Sequence, residues 1–258
     1  MPDPILLRQD IGPIATLTLN TPSSLNALST AMLTALETEL DAIATSKTRV
    51  VILNAAGKNF CAGHDLREIQ SHRADPDGGK AAFTTLFALC AQVMQKLVNL
   101  PQPTIASVLG VATAAGCQLA ASCDFVVAAD TARFGVNGVN IGLFCSTPLV
   151  ALARKILPTQ AYDLAATGDF IPAERAQTLG LVNRIAAPDD LTPETQRLAE
   201  TLASKLPTAL AIGKAARTDP TLPQAYETAS AAMVANLLTP ETDEGLTAFL
   251  AKRPPNWA

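Results

Sequence analysis

The chain has 258 residues and carries 19 lysines and arginines against 23 aspartates and glutamates, a net charge of −4. No basic stripe stands out, which excludes the electrostatic footprint of a nucleic-acid binder. The length suffices for one large domain, or one domain with an appendage, around a sizeable core. The first residues, MPDPILLRQDIG, show no basic-then-apolar signal pattern. The cysteines (Cys61, Cys90, Cys117, Cys123, Cys145) show neither CxxC spacing nor a set of histidine companions with metal-ligand spacing, so no metal site is predicted. They read as reduced core thiols, and the expectation is a soluble, cytoplasmic protein without a membrane anchor.

In chain order, residues 14–19 (IATLTL) alternate as a strand does, and NTPSSLNALS follows as a loop. Ser29 is placed to cap a helix in which Met32, Leu36, Leu40 and Ile43 recur at helical spacing. Residues 50–53 read as a short buried strand. AAGKNFCAGHDLREI then gives a glycine-marked turn and a helix capped by Asp65. Residues 71–80 (SHRADPDGGK) are polar and glycine-rich, which predicts a mobile surface loop. Residues 83–100 form a long helix, stopped by PQP.

The stretch PTIASVLGVATAAGCQLAASCDFVVAAD follows. Residues 105–109 read as a buried strand, Gly110 breaks the pattern, residues 112–116 carry small side chains, 117–123 suit a helix and 125–128 a second strand. A strand, a small-residue turn and a helix N-terminus together present backbone N–H groups to a ligand. Such donors suit an oxygen that gains negative charge during reaction. A plain buried core has the same composition. A membrane span is opposed by Gln118, Asp124, the two glycines and the absence of a basic flank. Strands alternating with helices imply an α/β core with parallel crossovers. Beyond about Pro188 the pattern is helical, broken at Pro207 and by TDPTLP.

NFCAGHDL, followed some fifty residues on by this central stretch, resembles the signature of the crotonase (enoyl-CoA hydratase/isomerase) superfamily. SSLNALS, GLVNRI and the terminal EGLTAFLAKRPPNW resemble it too, in family order over nearly the whole chain. The resemblance implies a spiral of repeated ββα units over residues 1–195 that binds acyl-CoA. It also implies a helical C-terminal trimerisation region, 196–258, with assembly as a homotrimer or dimer of trimers. It implies that an acyl-CoA thioester, with coenzyme A as part of the substrate and no further cofactor, lies with its carbonyl oxygen between two backbone N–H groups. By motif these belong to His64 and Ala115. Most relatives carry glycine at the position of Ala115, whose methyl group is expected to narrow the pocket. Ser24, Leu25, Asn26 and Ala27, and Ala62, Gly63, Asp65 and Leu66, match the loops that meet the coenzyme A moiety. Lys252 resembles the basic tail residue that reaches the nucleotide, and a solvated charge at a helix end is the alternative.

The departures concern acid-base chemistry. Hydratases of this family use two glutamates, and this chain has Gln118 and Gly138 at their positions. A third position, a carboxylate in dienoyl-CoA isomerases, is Ser146. Neither an amide nor a missing side chain serves as acid or base, so conventional hydration is not expected. His64, Cys145 and a small anion in the space beside Gly138 are the candidate substitutes, and Asn137 and Asn140 are candidates to orient a water there. Each has a structural alternative: a side chain facing the coenzyme A channel, a packed thiol, or empty space. Asp124 reads as a turn or cap residue. If the rest of the site is preserved, Gln118→Glu with Gly138→Glu is expected to recover hydration. Two functional readings stand: an acyl-CoA enzyme of hydratase/isomerase type, with decarboxylation or thioester hydrolysis as its alternative, and a non-catalytic CoA-ester binder.

Overall fold

The sheet begins with a hairpin, β1 (Leu6–Ile11) and β2 (Ile14–Leu19), turning at Gly12 with φ 58°. β1 is the exposed edge, where Arg8 pairs with Asp10 and Glu39. Ser29 caps α1 (Thr30–Ala44) by accepting from the Met32 N–H, and Met32, Leu36, Leu40 and Ile43 are buried beneath it, as their spacing predicts. β3 (Val50–Ala55) opens with four buried residues, as expected of an interior strand with neighbours on both sides. The computed structural model describes residues 3–217 and 219–256. Trp257, in the terminal motif, lies outside them.

Asp65 caps α2 (Leu66–His72), and α3 (Lys80–Asn99) follows after a short turn. The turn is not the mobile loop its composition predicts. Arg73 bonds the Leu237 carbonyl, the Thr239 carbonyl at 3.1 Å and Asp243 at 2.9 Å, and Asp77 accepts from the N–H groups of Gly79 and Ala81. Charged and polar residues that signal solvent here bond the tail of the same chain. α3 is long and apolar enough to cross a membrane, but it buries Phe83, Phe87, Val93 and Leu97 and packs on α1.

The central stretch resolves into β4 (Thr104–Val108), β5 (Val111–Thr113), α4 (Ala115–Ser122), β6 (Phe125–Ala129) and β7 (Arg133–Gly135). After a 3-10 turn (Asn137–Ile141) come α5 (Ser146–Leu152), α6 (Pro158–Thr167), β8 (Phe170–Pro172), α7 (Ala173–Leu179) and β9 (Arg184–Ala186). The larger sheet has the order β1-β2-β3-β4-β6-β9, parallel beyond the hairpin, and the smaller has the order β5-β7-β8. Thus β4-β5-α4 forms one ββα turn whose two strands join different sheets, and β6-β7 starts the next. This is the expected α/β spiral. Gly110 makes the corner between the sheets with φ 63°, and a Cβ there would lie 2.0 Å from the Lys58 carbonyl.

The tail comprises α8 (Leu191–Ala203), α9 (Pro207–Ala215), α10 (Leu222–Leu237) and α11 (Pro240–Leu250). The division expected at 195/196 falls inside α8, a continuous helix packed on β3, β4 and β6. α10 packs on α3 and α5 of its own chain, burying Met233, Val234 and Leu237. Asp124, expected as a turn or cap residue, anchors the tail through the buried Lys214 at 2.6 Å and Arg217 at 2.5 Å. It also accepts from the Thr104 N–H and hydroxyl.

Candidate active site

Residues 61–65 run between two neighbours. On one side Leu28 donates to the Gly63 carbonyl at 2.7 Å and accepts from Asp65 N–H at 3.4 Å. On the other, Cys61 bonds Val111 and Thr113. In the parallel bridge between Leu28 and His64, the partner groups belong to Gly63 and Asp65, so the His64 N–H points away from Leu28. It has no backbone acceptor among the described residues.

The second donor comes from the turn into α4. Ala114 has φ 49° and ψ −123°, a conformation an L-residue adopts only under local constraint, and its N–H bonds the Gly135 carbonyl at 3.0 Å. Ala115 is therefore the first helical residue, where an N–H has no partner within the helix. A Cβ on Gly63 would lie 3.2 Å from the Ala115 nitrogen, which shows how closely the two segments approach. Gly116 makes the approach possible, since a Cβ there would stand 2.2 Å from the Cys61 carbonyl. Ala115 is 1% exposed, and Ala114 is the more open of the two.

His64 and Ala115 line a cavity of about 520 Å³. Its walls include Leu25 and Leu66 on one side, and Ile141, Leu143, Met233 and Phe249 on another. Among the described residues, no aspartate, glutamate, lysine or arginine lines it. His64 is the one lining residue with a side chain that titrates near neutrality in water, and burial lowers its pKa to about 4. The ring stands edge-on to Phe87 at 5.1 Å, Nδ1 bonds the Leu28 carbonyl at 3.3 Å, and Nε2 is buried without a partner. The imidazole is thus neutral and a poor base. Cys145 also lines the cavity, and burial pushes its thiol up to about 11.

Of the residues singled out in the sequence, the structure brings Leu25, Ala62, His64, Leu66, Ala115, Asn137, Gly138, Asn140 and Cys145 to this cavity. Leu25 and Asn26 are left-handed, with φ 55° and 54°. The Asn26 amide is a buried brace, accepting from Thr21 N–H and donating to the Ala56 and Asn59 carbonyls. Ser24, Ala27 and Gly63 frame the same loops, and Asp65 caps α2, accepting from Arg67 N–H at 2.9 Å. Ser146 and Lys252 do not line the cavity, and Lys252 is exposed beyond α11.

Gln118 does not line the cavity either. It is fully buried, with Nε2 donating to the Tyr226 hydroxyl at 3.3 Å. A Cβ on Gly138 would lie 2.4 Å from the Leu143 carbonyl and 2.7 Å from Cys145 Sγ. A glutamate introduced at position 138 must therefore displace one of these two neighbours, while the open side of Gly138 faces the cavity. Sequence reading missed Thr113, Met233, Phe249 and Tyr226. Thr113 lay inside the marked central stretch and Phe249 inside the terminal motif, but the pairing of Tyr226 with Gln118 spans 108 positions and leaves no local signal.

With this geometry the family is defined: residues 11–258 match the model of the enoyl-CoA hydratase/isomerase family, and the chain belongs to it. It is 41% identical to human "Enoyl-CoA hydratase domain-containing protein 3, mitochondrial" over 261 residues, covering 100% of this chain and 84% of that protein. The crystal structure of human enoyl Coenzyme A hydratase domain-containing protein 3 is similar with a TM-score of 0.78 at 39% identity, covering 98% of this chain and 100% of that one. That of an enoyl-CoA hydratase from Mycobacterium smegmatis has a TM-score of 0.79 at 45% identity, covering 99% of each chain. The expectation of a cytoplasmic protein is corrected here: the human, rat and mouse domain-containing protein 3 relatives are all named mitochondrial.

Two outcomes follow from the packing. Gly138→Ala must displace the Leu143 carbonyl or Cys145, and is expected to cost about 1–3 kcal/mol in urea unfolding; an unchanged midpoint would show the contact to be soft. His64 takes up its proton near pH 6.5 when unfolded but only near pH 4 when folded. Its contribution is therefore present above pH 6.5 and lost as pH falls towards 4. Wild type should lose on the order of 2–3 kcal/mol relative to His64→Gln across that window, and parallel stability curves would contradict the assignment.

Proposed function

We propose that the chain binds an acyl-CoA thioester with its carbonyl oxygen between the N–H groups of His64 and Ala115. The observation that carries this reading is that these two residues, neither N–H with a backbone acceptor among the described residues, line one cavity to which those residues bring no charged side chain. Attack or bond cleavage beside a thioester builds an enolate-like oxyanion. Fixed N–H dipoles stabilise it without reorganising, and one such donor contributes about 3–4 kcal/mol to the transition state. Family membership supports a lyase-type enzyme. Coenzyme A is part of the substrate and no further cofactor is required.

The acid-base half of hydration has no carrier. A carboxylate pair would activate water and protonate the carbon, but the cavity holds no carboxylate, a neutral imidazole and a neutral thiol. Activity therefore rests on oxyanion stabilisation. The charge-free lining favours decarboxylation as a second reading. The bond from the second carbon to a carboxyl group breaks, carbon dioxide leaves, and the electron pair enters the thioester enolate, later quenched by a proton from water. That step needs no side-chain base. Loss of catalysis with retention of binding is the remaining alternative.

Assembly as a homotrimer or dimer of trimers belongs to the same proposal. A groove between α3 and α10 leaves Ala88, Ala231 and Leu238 facing outward and is a candidate seat for another copy. Light scattering at micromolar concentration should report three or six times the 26.9 kDa chain mass; a monomer would refute it.

Calorimetry with acetyl-, butyryl- and crotonyl-CoA should show binding in the micromolar to millimolar range, and no heat with any of them would remove the reading. Loss of enoyl absorbance with crotonyl-CoA should be absent or several orders of magnitude below that of a two-glutamate relative, since each lost acid or base costs about 10²–10⁴-fold. Gln118→Glu should not restore it, because that position does not line the cavity. Robust wild-type turnover would transfer the base role to His64 or Cys145.

A further inference from the structure

The cavity contains one polar pair that neither the two N–H donors nor the missing glutamates account for. Thr113, the last residue of β5, donates its hydroxyl to the Asn137 amide oxygen at 2.6 Å. That distance is short for N–H···O but normal for O–H···O, which fixes the amide's orientation. With Oδ1 held by Thr113, the NH₂ group of Asn137 faces away from β5. It has no acceptor among the described residues, and it is not among the buried polar atoms that lack partners, so it is open to the cavity that both residues line. A neutral hydrogen-bond donor is thus held in a fixed direction on an otherwise largely apolar wall.

Its place in the fold sets what it meets. Thr113 lies two residues before the Ala115 donor, and Asn137 directly precedes Gly138. Adjacent Cα atoms stand about 3.8 Å apart, so the Thr113 and Ala115 Cα atoms lie within about 7–8 Å of each other, and the amide belongs to the same cavity wall as the Ala115 donor. We propose that Asn137, oriented by Thr113, is a specificity-determining donor to an oxygen on the third carbon of the acyl group. The inference rests on the acyl-CoA reading above and names its substrate class: thioesters with a ketone, hydroxyl or carboxylate at that carbon, in preference to plain saturated chains.

Calorimetry on the intact protein tests this with butyryl-, acetoacetyl-, 3-hydroxybutyryl- and malonyl-CoA. At least one oxygenated ester should bind about three- to tenfold more tightly than butyryl-CoA, the range for one neutral hydrogen bond. Preference for acetoacetyl- or 3-hydroxybutyryl-CoA marks a neutral oxygen as the ligand, and preference for malonyl-CoA marks a carboxylate. In Asn137→Ala the ratio should fall to about one, and in Thr113→Val it should fall part of the way, with circular dichroism confirming that both variants fold. Equal affinities in wild type, or a preference that survives Asn137→Ala, would overturn the inference and leave the acyl-CoA reading standing. No heat with any ester would remove both.

Discussion

The constraint on which the site depends is the close backbone approach between residues 61–65 and the start of α4. Cys61 is hydrogen-bonded to β5, the preceding strand, while Leu28 holds the far end of the segment at Gly63 and Asp65. The contact requires two residues without side chains, since a Cβ on Gly63 would press on Ala114 at 2.9 Å and one on Gly116 on Cys61 at 2.2 Å. It also holds Ala114 in a conformation that costs energy elsewhere. The consequence is that His64 and Ala115, both without a backbone acceptor for their N–H groups among the described residues, line one cavity. Backbone pairing rather than side-chain chemistry thus shapes the reactive end of the site.

The remainder of the cavity follows from what surrounds that contact. At position 138, where the family resemblance places a glutamate, a Cβ would meet the Leu143 carbonyl and the Cys145 thiol. Where the other would stand, Gln118 is turned into the core against Tyr226 of α10. The substitutions are coupled to packing, so restoring a carboxylate requires rebuilding its neighbours. The resulting lining is uncharged. This suits a reaction in which the substrate's own bonds supply the electrons and the protein stabilises the oxygen that receives them.

Much of the fold was legible in the sequence because the central strands and amphipathic helices carry clean periodicities. IATLTL, the Ser29 cap and the buried VVIL run became the elements they predict. The short strands β5, β7 and β8 each have three residues, too few to show alternation, and were not read individually. Motif resemblance pointed to His64 and Ala115, and the structure places both in the lining of one cavity. What a single sequence could not reveal were long-range contacts. The Cys145 sulfur beside Gly138, the Tyr226 hydroxyl on Gln118 and the Arg73 clasp on the tail all join residues distant in the chain or brought together by a turn. Composition pointed to mobility at residues 71–80 for the same reason: the partners of Arg73 lie more than 160 positions away.

The central claim is that a thioester carbonyl is polarised by the N–H groups of His64 and Ala115. Difference infrared spectroscopy of butyryl-CoA carrying a ¹³C label at the thioester carbonyl, free and bound, measures this directly. The account predicts that binding shifts the labelled carbonyl stretch to lower frequency and narrows it, as two fixed donors draw electron density onto the oxygen. A bound ester whose carbonyl band stays at its free-solution frequency would contradict it.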